Sequence, residues 1–170
     1  MYLSPQAHHC IHKALRIIGL EDVQIRLLEL DENSKINTDY LTKVIQIDRE
    51  NGLFPFLAIA SAGTTDTGAI DPLEKIGRIA KEANIWYHID GAYGGFFILS
   101  ESVKHRFDGI ELADSIIIDW HKMLMVPALA TSLIFKNEND DIVATIKEVR
   151  KNGKVNVYFS ENCELERYSI

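Results

Sequence analysis

The sequence predicts an α/β domain built on a mostly parallel sheet with helical crossovers, and three observations carry that reading. Apolar runs of strand length alternate with amphipathic helix patterns through residues 23–118. The connections between them are short, as crossovers in a parallel sheet are. The residues that bear chemistry follow the ends of the apolar runs, at the edge where open α/β sheets bind their ligands. Composition agrees, since 170 residues with 46% hydrophobic and 25% charged content suit one globular domain.

Taken in order, Ser4-Pro5 predicts a helix start, with serine as N-cap and proline in the first turn. Ala7, Cys10, Ile11, Ala14, Ile17 and Ile18 recur at helical spacing, and Gly19 is a C-terminal stop. His8, His9 and His12 cluster here, but no set of acids or cysteines accompanies them, so no metal site is predicted. Residues 23–30 read as a strand and 31–34 as a loop. A helix follows from Thr38, with Leu41, Val44, Ile45 and Asp48 on one face and a stop at Asn51-Gly52.

Residues 53–60 are the next strand, with Pro55 near its start. It runs into Ser61-Ala-Gly63-Thr64-Thr65-Asp-Thr67-Gly68, which is either a simple turn or a loop that sets hydroxyls and bare backbone against a cofactor. Asp71-Pro72 repeats the helix-start signal, with Leu73, Ile76, Ile79 and Ala80 facing inward and Asn84 closing the helix. Residues 85–90 form a strand ending in Asp90, followed by Gly91-Ala92-Tyr93-Gly94-Gly95. Ile116 to Ile118 read as a buried strand that ends in Asp119-Trp120-His121-Lys122. Residues 128–135 are a further strand, 136–141 a polar turn and 142–151 a helix, while the tail 155–170 shows no period.

A formal charge of −7 and a pI near 5.3 argue against nucleic acid or an anionic membrane surface as partner. No apolar run approaches the ~20 residues that span a bilayer, and residues 1–5 show no basic segment leading into an apolar one. Cys10 and Cys163 lie far apart and form no framework. Reduced thiols in a cytoplasmic protein are expected.

A lysine past the carboxyl end of a buried strand can be partly desolvated, which favours Schiff-base chemistry. Taken alone, such a lysine more often extends its amine into water, and a carboxylate such as Asp90 more often binds local amides. Together, a lysine and an acid with small residues between them suit pyridoxal phosphate. The amine would take the aldehyde, and the acid would keep the pyridine nitrogen protonated so that the ring draws electrons.

Four runs in one order carry a resemblance: Ser4-Pro-Gln6-Ala7-His8, Ala60-Ser-Ala-Gly63-Thr64-Thr65, His88-Ile-Asp90-Gly-Ala92-Tyr-Gly94-Gly95 and Ala113-Asp114-Ser115 with His121-Lys122-Met123. The chain resembles the group II pyridoxal-phosphate decarboxylases of glutamate, aromatic amino acids, histidine and 2,4-diaminobutyrate. The resemblance spans residues 4–136 or so. It implies part of a fold type I, aspartate-aminotransferase-like large domain. It also implies pyridoxal 5'-phosphate as cofactor and decarboxylation of an L-amino acid to an amine and carbon dioxide. Position by position, it makes Lys122 the Schiff-base lysine, with His121 beside the cofactor phosphate. Asp90 pairs with the pyridine nitrogen, and Ala92 packs on one ring face. His8 stacks on the other face, near the carboxylate that leaves. Thr65 and Ser115 donate hydrogen bonds to the cofactor, Ser115 to its phosphate. Tyr158 would belong to a mobile loop that returns a proton.

The chain departs from the pattern at Asp119-Trp120, where many members have Asn-Pro, and at Gly91, where alanine is usual. Asp119 with Lys122-Met-Leu-Met-Val-Pro127-Ala128 leans towards the diaminobutyrate-type enzymes. Members are several hundred residues long and work as homodimers. Residues 1–152 are therefore expected to be the central part of the large domain and 153–170 the start of the mobile loop, with the upstream part and small domain absent. Two other readings stay open. One is a remnant or interaction domain unable to hold the cofactor alone. The other is a related pyridoxal-phosphate lyase or aldolase, against which His8 and the Gly63-Thr64-Thr65 loop weigh.

Overall fold

The computed structural model of the chain describes residues 1–136. The expected helix over 142–151, the tail from 155 and Tyr158 lie outside the described residues. Among the described residues a single six-stranded sheet is formed, with β1 at Tyr2–Leu3, β2 at Arg26–Leu27, β3 at Leu57–Ser61, β4 at Trp86–Asp90, β5 at Ser115–Asp119 and β6 at Thr131–Phe135. Their order across the sheet is β2-β1-β3-β4-β5-β6. Every neighbouring pair is parallel except β5 and β6, which pair antiparallel from Ser115↔Phe135 to Asp119↔Thr131. The helices are α1 (Cys10–Ile17), α2 (Thr38–Glu50) and α3 (Leu73–Glu82), and three short 3₁₀ turns lie between β4 and β5.

Side-chain alternation along the strands makes two cores. Tyr2, Ala58, Ala60, Tyr87 and Ile89 point to one face and pack with Leu41, Val44 and Ile45 of α2 and Leu73, Ile76 and Ala80 of α3. Leu3 and Ile59 point to the other face, where they meet Met1, Leu15 and Ile11. The same alternation turns His88 and Asp90, the even positions of β4, away from the large core. The register sets His88 beside Ser115 and Asp90 beside Ile117.

Several details differ from the sequence reading, each for a physical reason. Ser4 does not cap the first helix. It is buried, its Oγ accepts from the Gln6 N–H, and α1 begins only at Cys10, whose N–H donates to His8 Nδ1. Ile17 and Ile18 of the expected inner face are exposed, and Leu15 is the buried residue of α1. Of residues 23–30 only Arg26–Leu27 pair as strand, because their partner β1 is itself two residues long. That partner, at the very N-terminus, had no period to reveal it. Ile116 to Ile118 are half-buried rather than buried, and Ile117 is so because its face borders an open cleft.

Asp71 does not cap α3 either. Its carboxylate accepts from the Ser61 N–H at 2.7 Å and the Ile36 N–H at 2.8 Å, tying the end of β3 to the loop before α2. The helix forms without a side-chain cap. A missing cap costs about 1 kcal/mol, whereas Leu73 and Ile76, each 1% exposed, stabilise it by about 1.5–3 kcal/mol apiece. Packing decides. Asp48, expected on the inner face of α2, is buried there as a charge because Arg26 and the Tyr2 hydroxyl both donate to it.

Candidate active site

Three chain segments leave the sheet at the carboxyl ends of β3, β4 and β5, and they enclose a cleft of about 370 Å³. The segment before α1 and the first turn of that helix close one side with Gln6, His8, Cys10 and Ile11. β3 delivers Gly63, Thr64 and Thr65, β4 delivers His88, Asp90, Ala92 and Tyr93, and β5 delivers Asp119 and Lys122. Two glycines set its depth. A methyl on Gly94 would lie 2.6 Å from the Gly63 Cα and 2.8 Å from the Ala62 carbonyl oxygen. The loops after β3 and β4 therefore touch backbone to backbone, and Gly63 holds φ +93°, a left-handed conformation that glycine adopts freely.

Lys122 ends a turn whose amide donates back to the Asp119 carbonyl, and its Nζ lies 2.7 Å from Asp119 Oδ2. Asp119 is 7% exposed, and its other oxygen accepts from Thr131 Oγ1 at 2.6 Å. Burial pushes the Asp119 carboxyl up. The hydrogen bonds from Lys122 and Thr131, with the nearby positive charge, outweigh that and hold it below the usual carboxylate range. The ammonium is thus fixed by a carboxylate that is itself fixed. Asp90 accepts from the Ala92 N–H at 3.0 Å through one oxygen. His88 is pushed below the ordinary histidine value by burial, against the opposing pull of the Asp90 charge.

Of the residues singled out from the sequence, Lys122, Asp90, Ala92, His8 and Thr65 meet in this cleft. His121 does not line it, and its Nδ1 lies 3.0 Å from the Ala130 carbonyl oxygen. Ser115 does not line it either. It opens β5 at the end of the strand remote from Lys122, where its hydroxyl is engaged by Trp86 and His88. His8 stacks on His9 with ring centroids 4.2 Å apart, and no group of three or more metal-ligating side chains occurs among the described residues. Asp119, Thr131 and His88 are the site residues that sequence reasoning missed. Asp119 carried the same signal as Asp90, an acid ending an apolar run, whereas Thr131 reaches the site only through the antiparallel pairing of β6.

The donor set fits pyridoxal phosphate. One primary amine is available for the aldehyde, and one carboxylate with an oxygen to spare can meet the ring nitrogen. Thr65 offers a hydroxyl, and the small residues Gly63 and Ala92 in the lining leave room for an aromatic ring to lie.

Comparison with known proteins agrees. Residues 1–158 match the pyridoxal-dependent decarboxylase conserved domain. An aromatic-L-amino-acid decarboxylase of Bacillus atrophaeus is 38% identical over 137 residues, which is 81% of this chain and 28% of that protein. The crystal structure of mouse CSAD superposes with a TM-score of 0.76 at 31% identity, covering 82% of this chain and 30% of that one. The glutamate decarboxylase domain of a diaminobutyrate-pyruvate transaminase and L-2,4-diaminobutyrate decarboxylase from Vibrio parahaemolyticus gives 0.72 at 35% identity, over 76% of this chain and 28% of that one. The chain thus spans under a third of the length of these relatives. With its sheet, its cleft and its sequence in accord, the chain belongs to the pyridoxal-dependent decarboxylase family.

Proposed function

We propose that this chain is the cofactor-binding middle of a pyridoxal-phosphate-dependent amino-acid decarboxylase. The observation that carries the reading is the convergence of Lys122 and Asp90 in one cleft at the carboxyl edge of a parallel sheet, with His8 and Ala92 beside them. When bound, pyridoxal phosphate supplies an electron sink that lets the bond from the substrate α-carbon to its carboxylate break, releasing carbon dioxide.

Lys122 provides the amine that anchors the cofactor, and Asp119 with Thr131 keeps that amine aimed into the cleft. Asp90 supports a positive charge on the ring nitrogen. His8, at the cleft wall, is the group available to steer the substrate carboxylate. Tyr158, outside the described residues, is assigned the return of a proton to the α-carbon by resemblance. The relatives act on amino acids with aromatic, acidic and basic side chains, so the substrate class proposed is an L-amino acid. A homodimeric, cytoplasmic enzyme belongs to the same proposal.

The test is addition of pyridoxal phosphate to the purified chain, borohydride reduction and peptide mapping. Label confined to Lys122 supports the reading, and label scattered over surface lysines contradicts it.

A further inference from the structure

Beneath the cleft, β4 and β5 carry a side-chain relay that the proposed reaction leaves unused. Trp86 Nε1 donates to Ser115 Oγ at 2.9 Å, and Ser115 Oγ lies 2.8 Å from His88 Nδ1. A donor count fixes the direction of the second bond. An indole N–H can only donate, while a hydroxyl has one proton and accepts twice. Were the imidazole proton on Nδ1, both neighbours would donate to Oγ. Among the described side chains the Ser115 proton would then have no acceptor, in a residue 4% exposed. Stranding a buried donor is costly enough to favour the alternative by about tenfold or more. In that alternative Trp86 donates to Oγ, the hydroxyl donates to Nδ1, and the ring proton sits on Nε2. In that arrangement every proton of the Trp86–Ser115–His88 relay that points inward has an acceptor.

With Nδ1 committed to Ser115, Nε2 is the nitrogen that His88 has left for the cleft it lines. Asp90 lies two residues along the same strand face, and its charge acts on the imidazole. We propose that Trp86 and Ser115 fix His88 as the neutral Nε2–H tautomer, making it a positioning residue that presents an N–H donor beside Asp90. This rests on the reading of Asp90 as the partner of the cofactor ring nitrogen. A neutral donor orients the carboxylate without cancelling its charge. An imidazolium there would compete with the protonated ring for Asp90. Lys122, Asp119 and His8 are the other titratable side chains around the cleft besides Cys10 and Tyr93. The first two are paired with each other.

The proposal is tested on the full chain, labelled with ¹⁵N-histidine, by two-bond proton–nitrogen correlation at neutral pH. Expected is a pyrrole-type Nε2 and a pyridine-type Nδ1 for His88, with Ser115→Ala and Trp86→Phe each shifting the pattern towards a tautomer mixture. A protonated Nδ1 or a doubly protonated ring in the unsubstituted chain overturns it, whatever the folding of the variants. Cofactor capture gives the second arm. His88→Gln, whose amide can donate in place of Nε2–H, stays within about threefold of the parent affinity, while His88→Leu loses about tenfold or more. Equal loss in both overturns the donor role. Absence of any label at Lys122 in the parent would instead sink the functional reading and leave the tautomer result standing.

Discussion

Replacing Gly94 by alanine adds one methyl group at the point where the loops after β3 and β4 meet. That methyl would sit 2.6 Å from the Gly63 Cα and 2.8 Å from the Ala62 carbonyl oxygen, roughly 1 Å inside ordinary contact on two backbone atoms. Neither atom is the end of a flexible side chain, so the loops themselves must separate. Forcing extra volume into such a packed site costs about 1–3 kcal/mol. For a chain of this length that corresponds to a fall in Tm of about 3–10 °C. The neighbouring Gly95→Ala is the control, because the atoms nearest its methyl would all belong to the Ile118 side chain, Cγ1 at 3.3 Å with Cδ1 and Cγ2 at 3.6 and 3.7 Å, and a side chain can yield. Thermal unfolding followed by circular dichroism compares the two, with borohydride-fixed label on Lys122 as the second measurement. Parting these loops moves Thr65 from Asp90 and Ala92, so Gly94→Ala loses label where Gly95→Ala keeps it. Equal stability and equal labelling in the two variants would refute the claim that this backbone contact shapes the cleft.

Other outcomes follow from single contacts. Asp71→Ala strands the Ser61 and Ile36 N–H groups, at about 1–3 kcal/mol each, and denaturant unfolding should show a loss well above that of a surface substitution. Burial raises the Asp71 carboxyl above its ordinary value despite those two donors, so ionisation opposes folding, and its contribution weakens as pH rises through the folded-state value. Asp48 behaves oppositely. Hydrogen bonding from Arg26, against burial, holds its carboxyl below the ordinary value, so its contribution is present above the unfolded value of about 3.9 and is lost as pH falls through the folded one. Asp48→Asn therefore destabilises at neutral pH by about 1–3 kcal/mol, at the low end because the guanidinium is partly solvated, and the gap to the parent closes in acid. Asp90→Asn retains label on Lys122 but slows carbon dioxide release, whereas loss of label in that variant would show Asp90 to be structural.

The strand-helix alternation was legible because β3, β4, β5, α2 and α3 each carry a full period of their own pattern. Much of what escaped it depends on a partner far along the chain. Tyr2–Leu3 is a strand only because a slot between β2 and β3 receives it. Ser4 and Asp71 carry helix-cap signatures, yet Asp71 spends its carboxylate on Ser61 and on Ile36, thirty-five residues away. In the site, strand ends marked Lys122 and Asp90 as candidates, and the four motif runs in one order singled them out. Ser115 was expected at the cofactor from the resemblance, whereas its contacts with Trp86 and His88 of the adjacent strand had no signal in the sequence. Thr131 had no local signal, since only the turn back into β6 brings it to Asp119.

The most direct measurement of the central claim compares the parent chain with Lys122→Ala. Each is mixed with pyridoxal phosphate, scanned for a visible absorbance band, reduced with borohydride and mapped by peptide mass. The account predicts a band and a single reduced adduct on Lys122 in the parent, with both absent from the variant. A band that survives in Lys122→Ala, or an adduct on another lysine of equal yield, would contradict it.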